Sequence, residues 1–247
     1  MVQGLSGNRR IVVIPTYNEK ESIAQMIETI LGVPGDFHIL VVDDNSPDGT
    51  ADLVAPYCEQ SDRVHLLRRT GRRGFGLSYI DGFKWAIGNG YDAIFSMDAD
   101  FSHNPADLPR IAETLVTSDV AVASRYCNGG VSVVNWPIHR LILSLFAGAY
   151  VRTITGLKVH DPTGGYRGYR AEVLAGIDLD AIRSNGYSFL VEVLYRAKRC
   201  GYTMTELPIV FTERREGQSK MSKRVMFEAA LMPWRLRFRR FRRTGGG

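Results

Sequence analysis

Short apolar segments alternate with segments of helical periodicity through the first 126 residues, and this alternation constrains the fold more than any other feature. The β-branched run from Ile11 to Ile14 ends at Pro15, which predicts a buried strand and a turn. A stripe with helical spacing follows, formed by Ile23, Met26, Ile27, Ile30 and Leu31. Further strand and helix patterns alternate along the segments 37–44, 50–59, 63–69, 74–90, 92–98, 104–116 and 119–126. Because parallel strands need a crossover, usually a helix, we predict an α/β fold with a mainly parallel central sheet and helices on both faces.

The rhythm changes after residue 126. A loop leads into a helix at about 137–155, and a turn with a short strand–helix unit and then a helix and a strand follow. A last helix is predicted near Lys223–Met232. With 247 residues, 45% of them hydrophobic, the chain can bury one large core. We predict a disordered N-terminus (1–8), one domain (9–225) and a basic amphipathic C-terminal helix with its tail (226–247).

Polar residues follow four of the predicted strands at the point where each strand ends. They are Pro15-Thr16-Tyr17-Asn18-Glu19, Asp43-Asp44, Asp98-Ala99-Asp100 and Ser124-Arg125. Ligands of parallel α/β sheets bind at the carboxyl ends of the strands. The sequence therefore predicts a binding site along this edge.

Asp98 and Asp100 have two interpretations. They are surface acids that cap the helix starting near Pro105, or they hold a divalent cation. Mg²⁺ prefers oxygen ligands and usually takes one or two carboxylates together with substrate phosphates. A phosphatase-type nucleophile is disfavoured, because the motif follows the fourth strand and Ser102 stands where that motif needs Thr or Val.

Asp43-Asp44 ends the second strand, where an acid commonly binds a ribose. No G-x-G-x-x-G follows the first strand, which argues against NAD binding.

Two groups of basic residues are candidates for binding phosphate. Arg214, Arg215 and Lys220 lie in a segment that is either a solvated loop or a lid that closes over a diphosphate. Arg125 and Arg140 flank the loop before the apolar helix, and Ser144 lies one turn after Arg140. These three residues are either structural or hold a phosphate near an apolar surface.

The basic residues are concentrated at the C-terminus. Six arginines lie between Arg235 and Arg243, and without them the net charge falls from +5 to −1. The apolar residues of this region recur at helical spacing: Leu231, Trp234, Phe238 and Phe241. This pattern favours an anionic membrane surface over nucleic acid or over packing against the chain itself.

The three cysteines stand far apart, which disfavours a disulfide framework or a zinc site. The N-terminus lacks an apolar signal segment, and the longest apolar run, Leu141–Val151, is too short to span a bilayer. We expect a cytoplasmic protein, peripheral on the cytoplasmic face of a membrane.

Eight motifs occur together and in order: IPTYNE, VVDDNSPDGT, GLSYIDGFKWA, MDADFSHNP, SRY, NWPIHR, DPTGGYRGYR and EGQSKM. Over about residues 9–225 the chain resembles a family 2 glycosyltransferase of the GT-A nucleotide-sugar fold. Within that family it is most similar to the polyprenol-phosphate (dolichol-phosphate) mannosyltransferases.

The resemblance implies roles for individual residues. Five would cradle the guanine and ribose of GDP-mannose: Pro15, Tyr17, Glu19, Val42 and Asp44. Asp98 and Ala99 would contact the nucleotide-sugar, and Asp100 would bind Mg²⁺ or Mn²⁺ with Ser102, where many relatives carry a metal-assisting glutamine. Arg214 and Lys220 would hold the diphosphate. The acceptor phosphate would be held by Arg125, Arg140 and Ser144.

The implied reaction is transfer of mannose, with inversion, from GDP-mannose to a polyprenyl phosphate at a membrane surface, where a membrane-protein partner would help to hold the chain. Two alternatives stay open at this point. The donor is UDP-glucose, as in polyprenyl-phosphate glucosyltransferases, or the chain is a nucleotide-binding scaffold without turnover. A nucleic-acid partner is not expected, because it leaves the strand-end acids unexplained.

Overall fold

The computed structural model describes residues 9–127, 130–184, 186–212 and 223–238. The predicted disordered segment 1–8 lies outside these ranges. Nine strands are described: β1 (Arg10–Thr16), β2 (Phe37–Asp43), β3 (Val64–Arg68), β4 (Ala93–Ser96), β5 (Val120–Ser124), β6 (Val133–Val134), β7 (Arg167–Arg170), β8 (Met204–Pro208) and β9 (Phe211–Thr212).

Eight α-helices connect or follow these strands. They are α1 (Ile23–Leu31), α2 (Thr50–Gln60), α3 (Phe75–Gly88), α4 (Leu108–Thr114), α5 (Ile138–Thr155), α6 (Ala171–Gly176), α7 (Tyr187–Arg199) and α8 (Lys223–Phe238). The predicted stripe of α1 faces the core, since Ile23, Met26, Ile27 and Ile30 are fully buried.

Seven strands form the central sheet in the order β3-β2-β1-β4-β7-β5-β8. All neighbours pair in parallel except β7, which is antiparallel to both β4 and β5. Two antiparallel pairings restore the direction, so β5 runs the same way as β4. The carboxyl ends of β1, β2, β4 and β5 therefore share one edge of the sheet, which we call the rim.

Apolar clusters cover both faces of this sheet, which confirms the predicted α/β fold. One cluster joins the inner face of α3 and α7 to the strands, and the other contains the buried stripe of α1 with residues of α4. Gly82 lets α3 approach closely, because a Cβ there would come within 2.5 Å of a Val13 side-chain carbon. The three cysteines are free thiols.

The C-terminal helix has two faces. Met232 and Leu236, four residues apart, are buried in the same cluster as α3 and α7. Tyr150 of α5 donates a hydrogen bond to the carbonyl of Ala230 and accepts one from the Trp234 indole. Trp234 and Phe238 stay exposed. Part of this helix thus packs on the body of the protein. The pattern of arginines and aromatic residues had favoured a membrane surface over such packing.

Candidate functional site

The nucleotide side of the rim begins where β1 and β2 end. Thr16 pairs in register with Asp43, and its hydroxyl donates to the buried Asp43 carboxylate at 3.2 Å. The Tyr17 side chain is exposed and lies under the Arg73 guanidinium, which donates to the Tyr17 hydroxyl at 2.6 Å. The Tyr17 ring is therefore held at the edge of the rim by a cation–π contact and a hydrogen bond.

The other residues expected to cradle the nucleotide differ in what they present. Pro15 is half-buried at the end of β1, and the Glu19 backbone N–H donates to Thr50 at 3.1 Å. The Val42 side chain is fully buried and close to α3 near Gly82, so a nucleotide would meet the backbone of Val42 and not its side chain.

Asp44 belongs to a buried ion pair that the sequence did not reveal. Its carboxylate is paired with Arg69 and accepts the Gly74 N–H at 2.7 Å. Arg69 also donates to Asp81 of α3 at 2.6 Å, so it ties the end of β2 to the helix that follows β3. Asp44 is thereby fixed in orientation, and any hydroxyl that it binds meets a carboxylate already partly neutralised.

Asp98 and Asp100 lie in a tight turn after β4. The Met97 N–H donates to the Val13 carbonyl at 3.2 Å, which carries the pairing with β1 to the start of the turn. Phe101 has a left-handed φ of 59°, a conformation that a bulky residue rarely adopts and that often marks a functional site. The turn places Asp98, half-exposed, beside the partly buried Asp100.

Ser102 orients the second carboxylate. Its backbone N–H and its hydroxyl both donate to Asp100 Oδ1, at 3.0 and 2.6 Å. The Ser102 side chain is itself buried. These contacts show that Ser102 orients Asp100 through its Oδ1.

His103 packs against the same turn and accepts a hydrogen bond from its backbone. It is buried, and its ring stacks on Tyr166 at 5.0 Å. The Asp98 N–H donates to His103 Nδ1 at 3.2 Å, which requires that nitrogen to be unprotonated. Burial lowers the pKa of His103 and outweighs the opposing charges of Asp98 and Asp100, in agreement with a neutral ring.

The carboxylates fit a divalent cation that takes most of its ligands from a substrate. Within the described part of the chain, no group of three His, Cys, Asp or Glu side chains is arranged to hold a metal ion. Mg²⁺ and similar cations are commonly bound through one or two carboxylates plus phosphate oxygens and waters. Asp98 and Asp100 supply that number of carboxylates at an accessible turn.

The predicted phosphate ligand Arg125 is paired with a buried acid. Asp161 is fully buried and accepts from Arg125 Nε and Nη2, both at 2.7 Å, and from the Arg125 backbone N–H at 3.1 Å. Burial alone would raise the pKa of Asp161, but the hydrogen bonds and the charge of Arg125 outweigh it and lower that pKa. An acceptor phosphate would therefore bind to Arg125 Nη1, the guanidinium nitrogen that does not donate to Asp161.

Arg140 and Ser144 lie in the first two turns of α5. The Arg140 guanidinium stacks over the Trp136 ring at 4.3 Å, and the Ser144 hydroxyl accepts from Tyr126 at 2.8 Å. Arg125 also lies over Trp136, at 5.3 Å. One tryptophan thus holds both guanidinium groups near each other.

Tyr187, at the start of α7, was missed by sequence reasoning. Burial raises the pKa of its hydroxyl, Asp98 and Asp100 raise it further, and Arg140 and Arg125 oppose them. Tyr187 is 56% exposed, and both carboxylates and both arginines act on the pKa of its hydroxyl. The only sequence signal was the glycine before it, Gly186, whose φ is 53°. The predicted diphosphate ligands Arg214 and Lys220 lie outside the described residues.

Comparison with known proteins identifies the family of this chain. A family model described as Glycosyl transferase family 2 matches residues 11–177. Polyprenol monophosphomannose synthase of Mycolicibacterium smegmatis is 44% identical over 243 residues, which cover 96% of this chain and 91% of that protein. Undecaprenyl-phosphate mannosyltransferase of Micrococcus luteus is 44% identical and covers 90% of this chain and 91% of its own length.

More distant relatives agree in fold. Dolichol-phosphate mannosyltransferase of Pyrococcus furiosus is 36% identical over 88% of this chain and 60% of its own length. The crystal structure of glucosyl-3-phosphoglycerate synthase from Mycobacterium tuberculosis in complex with Mn²⁺, UDP and glucosyl-3-phosphoglycerate gives a TM-score of 0.64 at 18% identity, over 93% of this chain and 77% of that one. The chain therefore belongs to glycosyl transferase family 2 and has the GT-A fold that its motifs predicted.

Proposed function

We propose that this protein transfers mannose from GDP-mannose to the phosphate of a polyprenyl lipid, with inversion, and releases GDP. The products are a β-linked polyprenyl phosphate mannose, for use in lipid-linked glycan synthesis or protein mannosylation, and the nucleotide. Two close relatives bear the names of mannosyl transfer to polyprenol or undecaprenyl phosphate, which supports the acceptor class and the sugar.

One observation carries the proposal: the strand-end carboxylates and Arg125 lie at the same edge of the sheet, beside the apolar helix that carries Arg140. The Phe211 ring contacts both groups, since its centroid is 5.5 Å from the ring of His103, which follows the carboxylates, and 5.4 Å from the Arg125 guanidinium. Around and beyond Arg140, α5 exposes large apolar side chains, with Ile138, Ile142 and Phe146 between 61% and 75% exposed. A phosphate attached to a long hydrocarbon chain fits both surfaces at once.

On the donor side, the protein must stabilise the charge that grows on departing GDP. Asp98 and Asp100 would hold Mg²⁺ or Mn²⁺ at the donor diphosphate, where the cation supplies Lewis-acid stabilisation of the leaving group. Arg214 and Lys220 would contribute positive charge from the opposite side. The pair formed by Asp44 and Arg69 would fix the ribose end of the nucleotide, and Tyr17 with Arg73 would border the base.

On the acceptor side, a phosphate oxygen attacks the anomeric carbon. A phosphate is already an anion near neutral pH, so the attack needs orientation and not a strong general base, in contrast to attack by a sugar hydroxyl. Arg125 and Arg140 would orient that phosphate, with Ser144 donating or accepting one hydrogen bond. The reacting sugar passes through an oxocarbenium-like state between the two sets of charges.

We place the protein at the cytoplasmic face of a membrane. No described helix has the length and apolar character needed to cross a bilayer. The exposed apolar residues of α5, together with Trp234 and Phe238 of α8, form a surface suited to the interface. The arginines that follow Trp234 complement the negative charge of cytoplasmic lipids, and a membrane-protein partner would add to this attachment.

A transfer assay tests the proposal. Purified protein with Mg²⁺ or Mn²⁺ and a short polyprenyl phosphate receives labelled GDP-mannose or UDP-glucose in parallel, and label in the lipid phase is measured. We expect transfer from GDP-mannose only, blocked by EDTA, and loss of nearly all transfer in Asp100→Asn. Asp36→Asn is the matched control, because Asp36 is exposed at the opposite end of β2 and has a left-handed φ that suits asparagine.

Each other outcome has a definite meaning. Transfer from UDP-glucose alone would replace the donor and retain the acceptor and the site. Normal transfer by Asp100→Asn in the presence of metal would refute the role of the carboxylate turn. Nucleotide binding without transfer from either donor would favour the non-catalytic scaffold.

A further inference from the structure

The outer edge of β3 is a free edge of the central sheet. β3 is the terminal strand, and no described strand pairs with its outer side. Exposed edges of this kind are templates for pairing with another strand unless they are blocked by proline, a bulge or a covering element. β3 contains no proline, and its one charged residue is Arg68 at its end, since its residues are Val64-His65-Leu66-Leu67-Arg68.

The pairing with β2 decides which backbone groups point outward. The Ile39 N–H donates to the Arg63 carbonyl, and the Arg69 N–H donates to the Asp43 carbonyl. In a parallel ladder, alternate residues turn both backbone groups to the same neighbour, so residues 63, 65, 67 and 69 face β2. Val64, Leu66 and Arg68 therefore turn theirs outward. The Val64 N–H is already used, since it donates to the Ser61 carbonyl at 3.2 Å.

A groove of about 420 Å³ runs along this edge. α2 borders it on one side with Ala55, Cys58 and Glu59, and Trp85 of α3 borders it on the other. The walls of the groove contain the apolar side chains of Ala55 and Trp85 together with the charged Glu59. It lies at the end of the sheet farthest from β5 and Arg125.

We propose that this edge pairs with the same edge of a second copy of the chain, antiparallel about a two-fold axis at Leu66. The outward groups match under that symmetry. Leu66 of each copy exchanges two hydrogen bonds with Leu66 of the other, and each Arg68 N–H donates to the second copy's Val64 carbonyl. The four bonds need no N–H from Val64, the one outward donor that the chain has already used.

The charges at the edge match under the same symmetry. Asp52, at the start of α2, pairs with Arg68 at 2.8 Å, which aligns the start of the helix with the end of the strand. Glu59 lies two turns farther along α2, about 10 Å on, and therefore lies beside Val64. The two-fold axis brings Arg68 of one copy to Val64 of the other, and so to the exposed Glu59. Each dimer contains two such Glu59–Arg68 contacts, and this self-complementarity selects a second copy over an unrelated strand.

Charge reversal tests the register directly. Sedimentation velocity of the full chain over a range of micromolar concentrations should show a dimer for the wild type. Glu59→Arg and Arg68→Glu should each weaken it about tenfold or more, because each places like charges together at both contacts. A mixture of the two variants should dimerise again, because Arg at 59 then meets Glu at 68 in one contact and the native pair forms in the other.

Glu172→Arg is the matched control, since it makes the same charge change on α6, at an exposed position outside the groove. It should leave the dimer unchanged. A wild type that stays monomeric throughout the range would overturn the proposal, as would a dimer that neither single reversal weakens. Failure of the mixture to dimerise would overturn the proposed register. Because Glu59 lies on α2 away from the rim, the transfer activity of Glu59→Arg reports separately on the proposed function.

Discussion

Arg125 and Asp161 form a buried ion pair, so the stability of this protein should depend strongly on the Asp161 carboxylate. Asp161→Asn keeps the size of the side chain and removes its charge. Asp161 is fully buried and Arg125 is 9% exposed, so the variant leaves a guanidinium charge buried beside a neutral amide. Breaking a buried ion pair by removing one partner costs about 3–5 kcal/mol. For a chain of this size that corresponds to a fall in Tm of about 6–20 °C.

Urea unfolding monitored by circular dichroism measures the change in free energy, and an unchanged m-value would show that the folded state keeps its compactness. Asp36→Asn, on an exposed carboxylate, should change the free energy of unfolding by less than about 0.5 kcal/mol. The difference between wild type and Asp161→Asn should also shrink in acid. The pKa of Asp161 is lowered in the folded state, so its contribution is complete above the unfolded pKa of about 3.9 and is lost as pH falls below it.

A double variant separates stability from function. Arg125→Met with Asp161→Leu replaces the ion pair by apolar side chains, and such replacements are often neutral or stabilising. We expect the double variant to recover most of the stability lost in Asp161→Asn and to remain inactive toward the polyprenyl phosphate. A cost below about 1 kcal/mol for Asp161→Asn would refute the reasoning, because it would mean that Arg125 does not depend on Asp161.

Two further predictions concern pH and the membrane. Burial lowers the pKa of His65 below 6.5, so the unfolded chain binds a proton more readily than the folded chain, and the free energy of unfolding should fall as pH drops below that value. His65→Gln should reduce the slope of the free energy of unfolding against pH by at most about 1.4 kcal/mol per pH unit, measured by urea unfolding at several pH values. An unchanged slope would exclude His65 as the source of the pH dependence. Phe146→Asp should weaken cosedimentation with anionic vesicles about tenfold or more, because Phe146 is 68% exposed on α5. Val116→Asp, which replaces another exposed apolar residue away from α5, should leave vesicle binding unchanged. Equal binding by both variants would count against α5 as the membrane-facing surface.

The positions of the strand-end acids could be predicted from the sequence because they follow from local rules. Each apolar run marks a strand, each polar break marks its end, and parallel connections place those ends on one edge. Asp43, Asp98 and Arg125 all lie at the rim for this reason. The helix at about 137–155 was also predicted, and it is found at Ile138–Thr155.

The partners of these residues could not be predicted, because the contacts join distant parts of the chain. Arg69 lies 25 residues from Asp44, and Asp161 lies 36 residues from Arg125. Neither Arg69 nor Asp161 differs in the sequence from an ordinary surface charge. Their burial depends on strand order, and the insertion of β7 between β4 and β5 has no counterpart in the periodicity of the sequence.

The reversed direction of β7 explains how the two halves of the site come to share one loop. A parallel strand at this position would reach the rim with its carboxyl end and leave it through a helix. β7 instead begins at the rim, at Arg167, so the segment that precedes it lies between the ends of β4 and β5. That segment supplies Asp161 to Arg125.

The same segment closes the space beside the carboxylate turn. Gly165, whose carbonyl accepts from Ser96 at 2.7 Å, lies so near that an added Cβ would be 3.7 Å from both Asp98 carboxylate oxygens. A displacement of this loop would therefore change its position relative to both Asp98 and Arg125. Because one short segment lies beside Asp98 at one end and holds Arg125 at the other, it would set the distance between the proposed donor carboxylates and the proposed acceptor arginine, which the proposed in-line transfer requires.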